Sequence, residues 1–426
     1  MTAPSDAERF DPIAIVLDGI WSEFAADESG QVADYIPELS RADQQSFGLA
    51  LVGVAGSVYR AGEANTPFTI QSISKPFVYA LALADVGVEG VLERVGVEPS
   101  GEAFNAISLE PGTGRPANPM VNAGAILTTS LIRGADRFER ILDILSRCAG
   151  RDLVVDEAVY RSERDTSDRN RALAYLMRHA GSLRMNVDEA LDVYFRQCSV
   201  LVTAVDLAVM AATLANGGVN PRTGEAVVDP EITEQVLTVM ATCGMYDFSG
   251  EWLVRVGLPA KSGVSGGLVA VSPSQFGIGL YSPPLDERGN SVRAVRASRA
   301  ISERFSLHLM HQVPRTAPSF TRVGTVGSDV AVLAMQGSIE FATAEQALLA
   351  IAPRRGDPDN PTAMVIDLDH VTKCHPIAAN LLAAVVDELG TWGLTVATVD
   401  QSGRNLLEAD AEFATLAEAV AFCQRP

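Results

Sequence analysis

The amino-acid sequence predicts an α/β fold with two domains, a large mixed layer of sheet and helices followed by a small α/β domain. Strand-like apolar stretches at residues 47–60 and 255–300 flank a helical region at residues 122–250. Strands and helices alternate again after residue 325, beyond a stretch that contains prolines. We expect the two flanking stretches to meet in one α/β layer, with the helical region inserted between them.

The first elements place Ser72 at the entrance of a helix. Residues 47–60 are apolar and are punctuated by Gly53 and Gly56, which is typical of strand structure. A helix is predicted over residues 76–95, starting at or just before Pro76, because proline is tolerated only in the first helical turn. Ser72 should therefore lie where the chain enters this helix.

The middle of the chain is dominated by helical periodicity. Apolar residues recur at helical spacing in four stretches, namely Arg137–Arg147, Asn170–His179, Val187–Arg196 and Asp206–Ala215. Residues 255–300 then return to short strands and glycine-rich turns. This order predicts a helical subdomain that is inserted into the sheet layer.

A linker is predicted at residues 311–324, where prolines and small polar residues accumulate. Beyond it, three stretches are typical of buried strands, namely Val330–Met335, Met364–Leu368 and Leu394–Val399. Helices are predicted between and after them at Thr343–Ile351, Ile377–Leu389 and Thr415–Cys423. Alternating strands and helices over about 100 residues indicate a compact α/β domain.

Composition excludes several classes of function. The 426 residues are 47% hydrophobic and 20% charged, which is typical of a globular protein, and the formal net charge is −20. That charge argues against nucleic acid and anionic membranes as partners. The five cysteines are scattered without a CxxC pair, and the first ten residues lack an apolar core, so we expect a cytoplasmic protein. The histidines form no zinc motif, and we expect neither metal nor cofactor.

Lysine is rare in this chain, and two of its lysines lie in strings that are typical of catalysis. Only three of the 33 lysine and arginine residues are lysines, and Lys75 closes the string Ser72-Ile73-Ser74-Lys75. A buried ammonium loses its proton near neutral pH, whereas a guanidinium does not. A neutral lysine one helical turn from a serine is able to take the hydroxyl proton and activate the oxygen as a nucleophile.

The second string is Lys261-Ser262-Gly263-Val264-Ser265-Gly266-Gly267. Serine acyl-transfer enzymes with an SxxK motif carry a Lys-Ser/Thr-Gly motif on an edge strand beside the nucleophile. The lysine adds positive charge, the backbone supplies an oxyanion donor, and the glycines permit close approach to a ligand. We expect the charge of Lys261 to lower the pKa of Lys75 beyond the effect of burial.

Seven ordered strings make the chain resemble the bacterial and mitochondrial-type glutaminases of the serine β-lactamase-like superfamily. The strings are Tyr35-Ile36-Pro37-x-Leu39, Phe68-x-Ile70-Gln71-Ser72-Ile73-Ser74-Lys75, Glu98-Pro99-Ser100-Gly101-x-x-Phe104-Asn105, Asn118-Pro119-Met120-x-Asn122-Ala123-Gly124-Ala125-Ile126, Tyr194-x-x-x-Cys198-Ser199, Cys243-Gly244-Met245-Tyr246-Asp247-x-Ser249-Gly250 and Pro259-Ala260 followed by the Lys261 string. The resemblance covers about residues 10–305. It implies a β-lactamase/transpeptidase-like catalytic domain at residues 1–310, with an antiparallel sheet layer and a helical subdomain.

The resemblance also implies a reaction and the residues that perform it. L-Glutamine would be hydrolysed to L-glutamate and ammonia, with Ser72 as nucleophile, Lys75 as its base and Tyr246 as a proton relay. Val264 would supply an oxyanion donor through its backbone N–H, together with the N–H of Ser72, and Lys261, Ser262 and Gly263 would support the site. Tyr194 is similar to the family tyrosine that also lines the catalytic centre and is counted among the catalytic residues. The residues implied in substrate binding are Tyr35, Asn122, Glu163, Asn170 and Tyr194, with Ser72, Tyr246 and Val264.

Residues 325–426 resemble a STAS domain, the fold of anti-sigma-factor antagonists and transporter tails. The similarity lies in the strand that precedes His375, but His375-Pro376-Ile377-Ala378 stands where many STAS proteins carry Asp-Ser-Ser-Gly. Switching by serine phosphorylation is therefore not expected at this loop. We expect a regulatory or assembly role, with a protein or small-ligand partner at this domain.

Three alternatives stay open at the level of sequence. A penicillin-recognising serine hydrolase would use the same SxxK and KSG parts, but such enzymes work outside the cytoplasm and need an export signal. A non-enzymatic STAS signalling scaffold would have no use for Ser72, Lys75 and Tyr246. A hydrolase that acts on a related ω-amide is the third alternative, because the sequence does not show the pocket depth that separates glutamine from asparagine. A homodimer or homotetramer is expected, since symmetric oligomers are common.

Overall fold

The structure is a computed structural model that describes residues 11–34, 36–101, 109–311, 320–327, 329–351, 361–401, 406–407 and 409–424. The chain divides into two units. The larger unit holds residues 17–303 and 307–310. The smaller unit holds the chain from residue 311 onwards, with the segments before residue 17 and at 304–306.

The larger unit contains helices α1–α11 and strands β1–β7, except for the ends of α1 and α11 that cross into the smaller unit. The helices are α1 (Pro12–Phe24), α2 (Lys75–Leu92), α3 (Asn122–Leu131), α4 (Arg137–Ala149), α5 (Glu157–Thr166), α6 (Asp168–Ala180), α7 (Val187–Cys198), α8 (Ala204–Ala215), α9 (Pro230–Cys243), α10 (Ser249–Arg255) and α11 (Val292–Phe305). The strands are β1 (Gly48–Gly53), β2 (Val58–Gly62), β3 (Phe68–Thr69), β4 (Leu201–Val202), β5 (Ala260–Ser262), β6 (Gly267–Ser272) and β7 (Phe276–Tyr281).

The two strand-rich stretches meet in one antiparallel sheet, which confirms the predicted layer. Its order is β2-β1-β7-β6-β5, so the N-terminal pair β1–β2 joins the C-terminal strands β5–β7 through the pairing of β1 with β7. Ala50 of β1 lies opposite Gly279 of β7, and Lys261 of β5 lies opposite Val269 of β6. Strands β1, β6 and β7 are buried along their whole length, since helices cover the sheet.

Helix α8 packs directly on this sheet because β7 carries glycines where the helix crosses it. A Cβ atom on Gly277 would lie 2.1 Å from the backbone nitrogen of Ala212, and one on Gly279 would lie 2.1 Å from the carbonyl oxygen of Ala204. Neither position has room for a side chain, so the two glycines set the distance between helix and sheet. The helix itself begins at a capping box formed by Thr203 and Asp206.

Helix α2 begins as the sequence predicts and ends slightly earlier. A 3₁₀ turn at Gln71–Ser74 runs directly into the helix, and Pro76 occupies its first turn. The helix includes a non-helical residue, Gly87, with φ of 75°, and it ends at Leu92 rather than at residue 95. The helical region between the strands is also confirmed, since α3–α9 all lie between β2 and β5 in the chain.

Among its described residues from 320 onwards, the smaller unit contains one five-stranded sheet and three helices. In chain order these are β8 (Phe320–Val326), β9 (Val330–Ile339), α12 (Phe341–Ile351), β10 (Ala363–Cys374), α13 (Pro376–Thr391), β11 (Thr395–Val399), β12 (Ala411–Phe413) and α14 (Leu416–Cys423). The sheet order follows the chain from β8 to β12. The pair β8–β9 is antiparallel, and the pairs from β9 to β12 are parallel.

The predicted linker at residues 311–324 is wrong at its C-terminal end. Strand β8 begins at Phe320 and pairs with β9, so residues 320–324 belong to the smaller sheet. Small polar residues concealed this edge strand, because one side of an edge strand faces solvent and its apolar alternation is weak. The prediction for residues 312–319 lies outside the described residues. Within the described part of the chain, no helix has the length and apolarity that crossing a membrane requires.

Candidate active site

Ser72 lies in the 3₁₀ turn at the start of α2 and is 7% exposed. The preceding residue, Gln71, has φ of 50°, a left-handed conformation that non-glycine residues seldom adopt. Holding a residue there costs about 1–3 kcal/mol, which the surrounding structure must supply. The sharp turn and the helix start together present the Ser72 hydroxyl near the unpaired N–H groups of the first helical turn.

The Lys75 side chain is buried beneath this turn. Its amine donates hydrogen bonds to the backbone carbonyl of Met120 at 3.1 Å and to Oδ1 of Asn122 at 2.7 Å. Burial lowers the pKa of Lys75 to about 8, and the nearby Cys198 and Glu163 oppose the shift. The lowered pKa and its cause, burial, agree with the expectation from sequence, whereas the expected further contribution from the charge of Lys261 is not found.

Tyr246 contacts one serine of each motif, namely Ser72 and Ser262. Its φ of 58° makes it a second left-handed non-glycine residue at the site. A hydrogen bond with Ser72 and one from the phenol to the carbonyl of Ser262, at 3.3 Å, hold the side chain. Burial raises the pKa of Tyr246 to about 12, and the hydrogen bond with the Ser72 side chain opposes the shift. The phenol is therefore protonated at neutral pH.

Lys261 lies on β5 and packs against the ring of Tyr246. Its amine is 3.8 Å from the ring centroid and donates to the carbonyl of Ser262 at 2.7 Å. Burial and the charge of Lys75 lower the pKa of Lys261 well below its ordinary value.

A glycine turn carries Val264 to the mouth of the site. The N–H of Gly263 donates to the carbonyl of Gly267 at 2.9 Å, and the N–H of Gly266 donates to the carbonyl of Gly263 at 3.0 Å. Gly266 has φ of 98°, and a Cβ there would lie 2.3 Å from the carbonyl of Ser282. Only glycine fits this position, which fixes the path of the turn.

A cavity of about 310 Å³ opens above these residues. Six residues predicted from the sequence line it, namely Ser72, Asn122, Glu163, Asn170, Tyr194 and Val264. The α5–α6 junction adds Thr166, Ser167 and Arg169, and Ile36 and Gln71 complete the lining. Lys75, Tyr246 and Lys261 lie buried behind this wall, and Tyr35 lies outside the described residues.

Asn122 connects the base of the cavity to its side. Its Nδ2 donates to Oδ1 of Asn170 at 3.1 Å, and its Oδ1 accepts from both Lys75 and, at 3.4 Å, the Tyr194 hydroxyl. The residue starts α3 but makes no side-chain cap to the helix, so its amide is available to this network. Burial raises the pKa of the Tyr194 phenol well above its ordinary value.

Glu163 is the buried carboxyl group of the cavity. Its side chain belongs to α5 and is 4% exposed, and its Oε2 accepts from Nε2 of Gln71 at 3.4 Å. Burial raises the pKa of Glu163 to about 8, and the Gln71 hydrogen bond and the charge of Lys75 oppose the shift. A cationic group that enters the cavity would stabilise the carboxylate form.

Comparison with known protein families matches the glutaminase family over residues 30–310, about two thirds of the chain. The chain belongs to the glutaminase family. Glutaminase 2 of Bradyrhizobium diazoefficiens is 46% identical over 407 residues, which cover 90% of this chain and 65% of that protein. The chain thus spans just under two thirds of the length of this relative. Glutaminases of Trichormus variabilis and Corynebacterium efficiens are 53% and 43% identical and are each covered to 92%.

Solved structures agree with the family. The crystal structure of Mglu has a TM-score of 0.71 and 42% identity, and the match covers 93% of this chain and all of that one. The probable glutaminase ybaS has a TM-score of 0.69 and 42% identity over 71% of this chain. The mixed α/β fold is thus that of known glutaminases.

Five residues of the cavity wall were not predicted from the sequence, namely Ile36, Gln71, Thr166, Ser167 and Arg169, and two of them bear on the chemistry, Gln71 and Arg169. Gln71 stands beside Ser72 inside a quoted family string, but nothing in a sequence indicates a left-handed backbone at a glutamine. Arg169 lies in the charged stretch around Glu163, where one exposed arginine resembles its neighbours. Its position one residue before Asn170, at a helix start, is the signal that links it to the site.

Proposed function

We propose that this protein hydrolyses L-glutamine to L-glutamate and ammonia through an ester on Ser72. The observation that carries the proposal is the convergence of three groups at one cavity. Ser72 is hydrogen-bonded to the protonated Tyr246, and Lys75 is buried close by with a pKa of about 8. The related Mglu, which has 39% identity, was crystallised in its glutamate form. A cavity of about 310 Å³ is suited to a ligand of amino-acid size.

Substrate recognition follows from the charges of a free amino acid. The ammonium group pairs with the carboxylate of Glu163, which is buried where such a pair is strong. The amides of Asn122 and Asn170 and the phenol of Tyr194 supply donors for the carboxylate and the side-chain amide. Arg169 at the rim adds a positive charge for the α-carboxylate, and Tyr35 joins the site as the family resemblance implies.

The acylation step begins with the hydroxyl of Ser72. Its oxygen attacks the side-chain amide carbon while its proton passes to neutral Lys75, directly or through Tyr246. The resulting oxyanion accepts hydrogen bonds from the backbone N–H groups of Ser72 and Val264. Collapse of this intermediate breaks the carbon–nitrogen bond, and the nitrogen takes a proton from Tyr246 and leaves as ammonia.

Deacylation uses the same groups in reverse. A water molecule attacks the ester carbon and gives one proton to the deprotonated Tyr246 oxygen. The Ser72 oxygen then leaves the carbon and takes back the proton that Lys75 received during acylation, which returns all three side chains to their starting forms. Lys261 supports these steps by packing its amine against the ring of Tyr246, and the carbonyl of Ser262 supports them by accepting a hydrogen bond from the Tyr246 hydroxyl. No atom in this sequence of steps comes from outside the substrate, water and the named side chains.

Ammonia release tests this proposal directly. Wild type should release ammonia from L-glutamine, and Ser72→Ala should not, whereas Ser130→Ala should retain activity because its hydroxyl only bonds the carbonyl of Leu127. L-Asparagine tests whether the protein prefers a shorter amide, and a chromogenic β-lactam tests whether it is a penicillin-recognising enzyme. Hydrolysis of either in place of glutamine would contradict the assignment, as would full activity in Ser72→Ala.

For residues 325–426 we propose a STAS-like domain with a regulatory or assembly role. The supporting observation is the sheet, in which the antiparallel pair β8–β9 continues into parallel strands β9–β12 with helices between them. We further propose a cytoplasmic homodimer or homotetramer without nucleic-acid or membrane partners. Comparing the full chain with one that ends at residue 311 tests the role. Identical kinetics, melting temperature and oligomeric state would contradict it.

A further inference from the structure

A chain of buried hydrogen bonds connects α3 to the left-handed Gln71. The Thr129 hydroxyl donates to Oε1 of Gln197 at 2.8 Å, and Nε2 of Gln197 donates to Oγ of Ser74 at 3.3 Å. The Ser74 hydroxyl then donates to the carbonyl of Gln71 at 2.8 Å. The four residues are at most 3% exposed, so water does not compete for these bonds.

The last bond of this chain holds the peptide that joins Gln71 to Ser72. A left-handed glutamine persists only where its surroundings hold it, and the Ser74 hydroxyl binds the carbonyl of that residue. The side chain of Gln71 in turn donates to Oε2 of Glu163 and to Oγ1 of Thr69, both at 3.4 Å. A shift of Gln71 would therefore move the Glu163 carboxyl and the Ser72 hydroxyl together.

We propose that Thr129, Gln197 and Ser74 form a positioning relay that holds Gln71, and through it Glu163 and Ser72, in the geometry that binds the substrate ammonium. None of the three lines the cavity, so the relay acts through Gln71 and not by touching the substrate. This inference rests on the proposed glutamine hydrolysis and assigns a role in it to residues outside the reacting groups.

The neighbouring Thr128 provides a matched control for the first residue of the relay. Thr128 and Thr129 are both 1% exposed and both donate to the carbonyl of Ala125 at 2.9 Å. Only Thr129 also reaches Gln197, with its hydrogen shared between the two acceptors. Replacing either threonine by valine removes one buried hydroxyl at equal volume, so a difference between the variants reports the relay.

The experiment compares kcat and KM for L-glutamine in wild type, Thr129→Val, Thr128→Val and Thr129→Ser, with melting temperatures alongside. Thr129→Val should raise KM about tenfold, the effect of losing one buried hydrogen bond. Thr128→Val should leave KM within about twofold of wild type, and Thr129→Ser should restore it by keeping the hydroxyl. A purely structural defect would lower the active fraction, and hence the apparent kcat, without moving KM.

A second comparison removes the dependence on one variant. Gln197→Met removes the hydrogen bonds of Gln197 with Thr129 and with Ser74 at similar side-chain volume. It should show the same rise in KM, and it tests the relay even when Thr129→Val does not fold. In a Gln71→Ala background, Thr129→Val should have no further effect on KM, because its route to Glu163 is gone. Equal KM values in Thr129→Val, Gln197→Met and Thr128→Val would overturn the relay alone. A wild type that releases no ammonia would overturn the proposed function as well.

Discussion

Raising the pH should activate this enzyme, because Lys75 acts as a base only when it is neutral. Burial lowers the pKa of Lys75 to about 8, so about a tenth of the lysine is neutral at pH 7 and about nine tenths at pH 9. The active form is the deprotonated one, and activity therefore rises with pH. The deprotonation of Lys75 alone should increase kcat/KM for L-glutamine about tenfold between pH 7 and pH 9, after which its contribution levels off.

Glu163 should make the acidic side of this profile steeper. Burial raises the pKa of Glu163 to about 8, and its carboxylate form is the one that pairs with the substrate ammonium. Two deprotonations then contribute, and the slope of log kcat/KM against pH should exceed one below about pH 7. Glu163→Gln should lower the plateau and return the slope to one. Its midpoint should move below that of wild type, because the Glu163 charge raises the pKa of Lys75.

The assay measures initial ammonia release from L-glutamine well below KM, at constant ionic strength, in steps from about pH 6 to about pH 9.5. Enzyme returned from each pH to pH 8 must recover its activity, which separates ionisation from denaturation. A kcat/KM that stays flat or falls between pH 7 and pH 9 would refute the assignment of Lys75 as a base with a pKa near 8.

Three further predictions concern single side chains. Lys75→Met should be inactive but should melt at a higher temperature than wild type. Burying the ammonium costs about 3 kcal/mol at pH 7, and losing its hydrogen bonds offsets about 1–2 kcal/mol of the gain from removing it. A lower melting temperature in the variant would contradict this prediction. Arg169→Met should raise KM about three- to tenfold with kcat unchanged, and its KM should depend less on salt than that of wild type. Substitution of the exposed Arg161 by methionine should leave KM as in wild type. Equal KM values in the two variants would show that Arg169 does not take part in substrate binding. Gly266→Ala should lose about 2–3 kcal/mol of stability, because the new Cβ atom would collide with Ser282. Gly181→Ala should lose only about 1 kcal/mol, because nothing lies within 4 Å of a Cβ atom there. Equal losses of stability in thermal melts would contradict the close fit at Gly266.

The sequence predicts the position of Ser72 because the signals there are local. Pro76 fixes the first turn of α2, and one helical turn separates the serine from Lys75. The sheet layer is also predictable in outline, since apolar stretches at both ends of the larger unit need a common partner. Strand β8 escaped prediction because an edge strand with polar residues resembles a linker.

The remaining features of the site depend on tertiary contacts that no spacing rule reveals. The φ of 50° at Gln71 is held by Ser74 and, behind it, by residues of α3 and α7 that lie far away in the chain. The pKa of Lys75 follows from how deeply packing buries it, and the further contribution that the motif suggested for the charge of Lys261 is not among the causes of the shift. Gln197 has no chemical signature in the sequence, since a buried glutamine is recognisable only through its partners.

The central claim is that glutamine is cleaved through an ester on Ser72 that Lys75 helps to form. The most direct test is to quench the enzyme with acid during turnover of L-glutamine and to map the modified peptides by mass spectrometry. The account predicts a glutamyl adduct on the peptide that carries Ser72 in wild type, and none in Ser72→Ala or Lys75→Met. Turnover with no adduct on that peptide, or an adduct on a different residue, would contradict it.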